Sequence, residues 1–196
     1  MTPMRLCLVA ALCCSSFLVT GCLVLTRELP AGTGPISDDR LVGEWQSLED
    51  CEGKDVIGYM HVQKLGSDRP MRVVGVEDTT YGVYEVYTTR FGTRNIFAAT
   101  VIAPASGGED DSLGGYILGR YEIKGDVLSY RMFDGEKVRE FVARGVITAT
   151  STPGRFGTTT LTGTPAELAR FLASPAADSA LDKERQCMRR LRYRRP

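Results

Sequence analysis

From Leu41 onward the chain is a series of short segments in which apolar and polar residues alternate, cut at close intervals by glycine, proline and acidic residues. That is the pattern of half-buried antiparallel strands joined by local turns. The spacing predicts strands over residues 41–48, 56–65, 72–76, 80–90, 95–103, 115–123 and 127–133. Glu77-Asp78-Thr79 and Gly125-Asp126 supply turns. Asp134-Gly135 reads as the sharpest hairpin signal, leading into a strand over 138–147, and a last strand is expected over 157–162. Alternation is clearest over 127–133, with Leu128, Tyr130 and Met132 on one face and Val127, Ser129, Arg131 and Phe133 on the other. No βα crossover pattern separates these runs. The expected fold is all-β: a small antiparallel meander barrel, since closure removes the exposed edges of a sheet.

The period changes after Gly163. Thr164 can cap a helix with Pro165 at its first position, Glu167 completes a capping box, and Leu168, Phe171 and Leu172 form an apolar stripe. Ser174-Pro175 ends it. A second amphipathic helix is expected over 179–191, with Leu181, Met188 and Leu191 as sparse anchors.

The first 22 residues have a different character. Arg5 is the only charge before residue 27, and an apolar run over 6–19 leads to Thr20-Gly21-Cys22. A charged start, a short apolar run and small residues before a cut site make a secretory signal; a membrane span needs about 20 apolar residues. Val19-Thr20-Gly21-Cys22 resembles the lipobox of bacterial lipoproteins. The resemblance implies cleavage before Cys22, lipid on its thiol, and a place in the bacterial cell envelope, with the outer membrane facing the periplasm favoured. The expected organisation is a signal over 1–21, a lipidated N-terminus and tether over 22–40, the barrel over 41–163, a docked helix and linker over 164–182, and a basic segment over 183–196.

Charge and cysteine content sharpen this picture. The chain carries 24 basic and 24 acidic residues, but from Lys183 to the end seven basic residues accompany one acidic residue. The terminal run has two readings. It is a solubilising tail dispensable for folding, or a contact segment for anionic lipid headgroups or an acidic envelope protein, with Arg189, Arg190, Arg192, Arg194 and Arg195 as contact residues. Nucleic acid is not an expected partner of an exported chain. Cys7, Cys13 and Cys14 leave with the signal and Cys22 takes the lipid. Cys51 and Cys187 remain, in a compartment where disulfides persist; a bridge between them would close a very long loop, although spacing does not fix its geometry.

Catalytic chemistry finds no footing: no nucleophile elbow, phosphate loop or ordered cation loop occurs, and His61 reads as a solvent-facing strand residue. No cofactor or metal is expected. Gly43-Glu44-Trp45, in LVGEWQS, resembles the GxW element of lipocalins. In that family the tryptophan packs across the closed base of an eight-stranded barrel and a C-terminal helix lies outside it; the resemblance extends loosely over 41–172, without a later lipocalin motif. Trp45 reads as core or as a ligand aromatic, and the body tyrosines as barrel surface or as the lining of an amphipathic pocket. The expected function is a lipid-anchored, non-catalytic envelope protein working through protein or surface contact. The alternative is a lipocalin-like carrier of a small amphipathic ligand. An apolar interior lined by several tyrosines would favour the carrier.

Overall fold

The computed structural model describes residues 23–33, 38–49, 51–52, 55–67, 69–77, 80–103, 114–152 and 158–192. Seven consecutive strands form the meander that the alternation predicts: β2 (Gly43–Leu48), β3 (Val56–Lys64), β4 (Met71–Glu77), β5 (Thr80–Phe91), β6 (Arg94–Ala103), β7 (Tyr116–Lys124) and β8 (Val127–Met132), counted after a first strand β1 (Leu23–Thr26). β6 also pairs with β7, and the C-terminal strand β11 (Gln186–Arg190) lies antiparallel between β8 and β2. An eight-stranded antiparallel barrel is thereby closed. β1 continues the sheet beyond β7, followed by β10 (Thr158–Leu161), which runs parallel to it, and β9 (Ala149–Thr152).

Three expectations are corrected. The hairpin and strand over 138–147 are replaced by helix α1 (Gly135–Ala143). Asp134 caps it, accepting from the Glu136 and Lys137 amides at 2.8 and 3.3 Å. At its end Gly145 takes φ +70°, and the amides of Gly145 and Val146 return to the carbonyls of Val142 and Phe141, a Schellman closure. Val138 and Phe141, three residues apart, are buried on one helical face. The helix expected over 179–191 is strand β11 instead, because Met188 turns into the barrel while the neighbouring Cys187 is buried on the opposite face against the β2 side. Helix α3 (Pro175–Ser179) precedes it. The segment expected as a tether over 22–40 contributes β1, with Val24, Leu25 and Thr26 buried. The barrel therefore extends past residue 163 and requires part of the segment expected as a basic end. The signal over 1–21, Cys22, Arg194 and Arg195 lie outside the described residues.

Helix α2 (Pro165–Ala173) forms as its sequence predicts, with the Thr164–Glu167 capping box in place. Its Leu168, Phe171 and Leu172 pack with Val138 and Phe141 of α1, Val24, Leu161 and the outward side chains Ile96, Ala98 and Leu118 of the barrel wall. A second cluster lies inside the barrel around Trp45, Val62, Met71 and Leu128. Two apolar cores therefore share one wall. Asp178 of α3 locks the outer layer to the wall, pairing with Arg94 at 2.7 Å and Arg120 at 2.5 Å. The hydrogen bonds from Arg94, with the charge of Arg120, hold the Asp178 carboxyl below its ordinary range despite some burial.

A disulfide joins Cys51, in the β2–β3 connection, to Cys187 of β11, with Cα atoms 5.0 Å apart and a sequence separation of 136. It fastens the closing strand to the first strand of the barrel. Constraint of so long a loop in the unfolded chain stabilises a fold by about 2–4 kcal/mol. The Cys51→Ser/Cys187→Ser double variant should lose that amount in urea unfolding, and reductant should then have no further effect on it. A loss under about 0.5 kcal/mol would contradict the assignment.

Candidate functional site

The interior of the barrel is closed at one end and hollow at the other, and the side chains explain both. At the base, Trp45 is fully buried, its Nε1 donates to the Leu41 carbonyl at 2.8 Å, and the Arg190 guanidinium lies 4.3 Å from the ring centre. Arg190 in turn donates to the Val42 carbonyl at 2.9 Å and to the Arg40 carbonyl. A short 3-10 turn over Asp39–Leu41 plugs this end. Asp38, which caps the turn, donates its amide to Thr88 of β5 at 3.1 Å and accepts from the Tyr121 hydroxyl of β7 at 2.9 Å. Burial would raise the Asp38 carboxyl, but hydrogen bonds from Arg40 and Tyr121 outweigh it and hold it below the usual range. Burial, then the Asp38 charge, pushes the Tyr121 hydroxyl far up, so it remains a donor across the ordinary pH range.

Above this base the inward positions become small. Ser47, Gly58, Gly75, Gly82 and Ala99 line the upper half, and a cavity of about 380 Å³ opens there, a size usual for small-molecule sites. Its walls are Met60, Val73, Val86, Phe97, Leu128, Met132 and Met188, with Tyr84, Tyr121 and Tyr130 among them. Phe97 meets Tyr130 edge to face at 6.0 Å. Burial, then the charge of Glu77 and the neighbouring Tyr84, raises the Tyr130 hydroxyl and keeps it protonated. Tyr59, Val76, Glu77 and Tyr81 stand at the open rim, all exposed. The chemistry on offer is that of an apolar sleeve with phenolic hydroxyls in its wall and, among the described residues, the Glu77 carboxylate at its mouth.

The two glycines on adjacent strands differ in a useful way. At Gly82 the Tyr84 ring already occupies the side-chain space, and a Cβ would lie 2.5 Å from its hydroxyl. Gly75, paired with Gly82 across β4 and β5, would place a Cβ with nothing within 4 Å. Its absent side chain is part of the cavity.

The expected contact arginines are scattered rather than gathered. Arg190 sits inside the base, Arg189 is exposed on β11, and Arg192 pairs with Asp126 at the β7–β8 turn. His61 is exposed, with its Nδ1 3.7 Å from Glu44 across the β2–β3 pair. Among the described residues no group of three or more His, Cys, Asp or Glu side chains is placed to hold a metal, and no helix is long and apolar enough to cross a membrane. Sequence reasoning missed the interior glycines, although Gly58, Gly75 and Gly82 share one face of three consecutive strands, a spacing that a count of parity from Trp45 would reach. The chain matches no protein-family model, no curated protein and no solved structure.

Proposed function

We propose that the protein is a non-catalytic carrier that holds a small amphipathic molecule in the upper half of its barrel, apolar body inside and polar end at the Glu77 rim. The observation that supports this reading is the cavity of about 380 Å³ with an apolar wall and three phenolic hydroxyls. Burial of an apolar ligand body there is favourable by about 25 cal/mol per Å² of apolar surface removed from water. The reading includes lipid attachment at Cys22 and residence in the bacterial envelope, as the lipobox resemblance implies; intact-mass measurement of the protein and of Cys22→Ser decides that part separately.

Gly75→Phe tests the carrier directly. The new ring enters open space from a strand position and needs no unusual backbone angle. We expect the variant to fold, to melt no lower than the parent, and to bind a polarity-sensitive apolar dye or a medium-chain alcohol at least tenfold more weakly. Equal binding by both proteins, measured by fluorescence titration, would refute an interior site. Contact with a protein partner is the second reading, favoured by the exposed cross-strand row Tyr59, Val76 and Tyr81 beside the mouth. Gly75→Phe should leave such contact intact.

A further inference from the structure

A second concavity lies on the outside of the same wall, and its chemistry is opposite to that of the interior. It has a volume of about 320 Å³ and is lined by β7 and β8, through the outward side chains and the wall residues Tyr121 and Tyr130, and by the strand-flanking segment that carries Lys183 and Arg185. Arg120 of β7 and Arg131 of β8 are direct cross-strand partners. Like charges directly opposite one another on a strand pair oppose folding, so this arrangement has a cost that the fold must offset. Arg120 has one relief, its pairing with Asp178. Among the described residues Arg131 and Lys183 have no acidic partner within ion-pair distance, and Arg185 adds a fourth cation. Ser129, only 8% exposed, forms part of the floor. Among the described residues Glu122 is the single acid in the lining, and it is paired with Lys124 at 3.0 Å.

We infer that this groove is a binding site for a phosphate-type oxyanion. Planar guanidinium forks on neighbouring strands suit the tetrahedral oxygens of a phosphate, each able to donate two parallel hydrogen bonds, and Lys183 supplies a mobile third charge at the rim. An anion between Arg120 and Arg131 turns their repulsion into shared attraction. The site is separate from the interior: Tyr121 and Tyr130 point their rings into the barrel, while Arg120, Ser129 and Arg131 have the other parity on the same strands. The phosphate can be a free ion or monoester, or the headgroup of a phospholipid.

The experiment has two arms on the full folded protein. Inorganic phosphate is titrated by calorimetry against a chloride background of matched ionic strength, and flotation compares vesicles of phosphatidate in phosphatidylcholine with pure phosphatidylcholine. We expect saturable binding in at least one arm, weakened at least tenfold by Arg131→Gln and by Lys183→Gln. Arg69→Gln, an equal loss of charge on an exposed turn away from the groove, should change it less than twofold. Binding in the solution arm alone identifies a soluble phosphate, and a phosphatidate preference alone identifies the headgroup; either supports the site. Failure in both arms, binding that survives both groove variants, or an equal loss with Arg69→Gln would overturn it. Gly75→Phe should bind phosphate as the parent does, so this result stands or falls independently of the carrier.

Discussion

A chain ending before Gln186 should not fold to a cooperative native state. β11 pairs with β2 on one side and β8 on the other, so its removal opens the barrel and exposes two long edges. It also removes Met188 from the interior, Arg190 from the Trp45 ring and one end of the disulfide. Total stabilities of small domains are about 5–15 kcal/mol, and the combined loss is of that order. The measurement is near-ultraviolet circular dichroism with thermal unfolding of the truncated chain. A cooperative transition within about 5 °C of the parent would show that the barrel closes without β11. Loss of the cooperative transition would reverse the expectation drawn from composition, where seven basic residues in the last fourteen suggested a tail dispensable for folding.

Trp45→Ala should destabilise the domain by about 3–5 kcal/mol, the range for removing a large buried aromatic. The indole is fully buried, and its loss has consequences beyond the void. The Leu41 carbonyl loses its donor, and the Arg190 guanidinium loses the ring face beneath it while remaining half-enclosed among base carbonyls. An unsatisfied buried polar group adds about 1–3 kcal/mol, which places the expectation toward the top of the range. Trp45→Phe should recover much of the packing while leaving the carbonyl unpaired. Urea unfolding of the three proteins gives the comparison, and a change below about 0.5 kcal/mol for alanine would remove Trp45 from its place at the base.

The strands were the legible part of this sequence, because a two-residue period survives wherever one face is buried. β2 to β8 follow the predicted segments to within about two residues, the usual uncertainty at element ends. What failed did so for identifiable reasons. Asp134-Gly135 is chemically both a hairpin turn and a helix start, and the deciding signal was distant: Val138 and Phe141 at helical spacing, closed by Gly145. β11 was hidden by its arginines. A strand whose two faces are buried against different things, Cys187 outward and Met188 inward, shows no alternation at all. β1 is four residues long, directly behind Cys22, and its partners β7 and β10 are far away in sequence. The cavity was legible only in part, as tyrosines, since Gly75, the glycine that leaves open space in it, has no side chain to notice. Arg120 and Arg131 were accessible by symmetry, being equidistant from the Gly125-Asp126 turn.

The position of β1 has a mechanical consequence. The sheet begins at Leu23, one residue after Cys22. Consecutive Cα atoms are 3.8 Å apart, so any acyl group on that cysteine would be attached almost directly to a rigid body instead of through a leash. A spacer of a dozen residues lets a domain tumble and search; a single residue does not. The barrel would then ride on the bilayer in a restricted set of attitudes, its mouth and its outer groove each presented at a nearly constant height and angle to whatever lies in the adjoining leaflet.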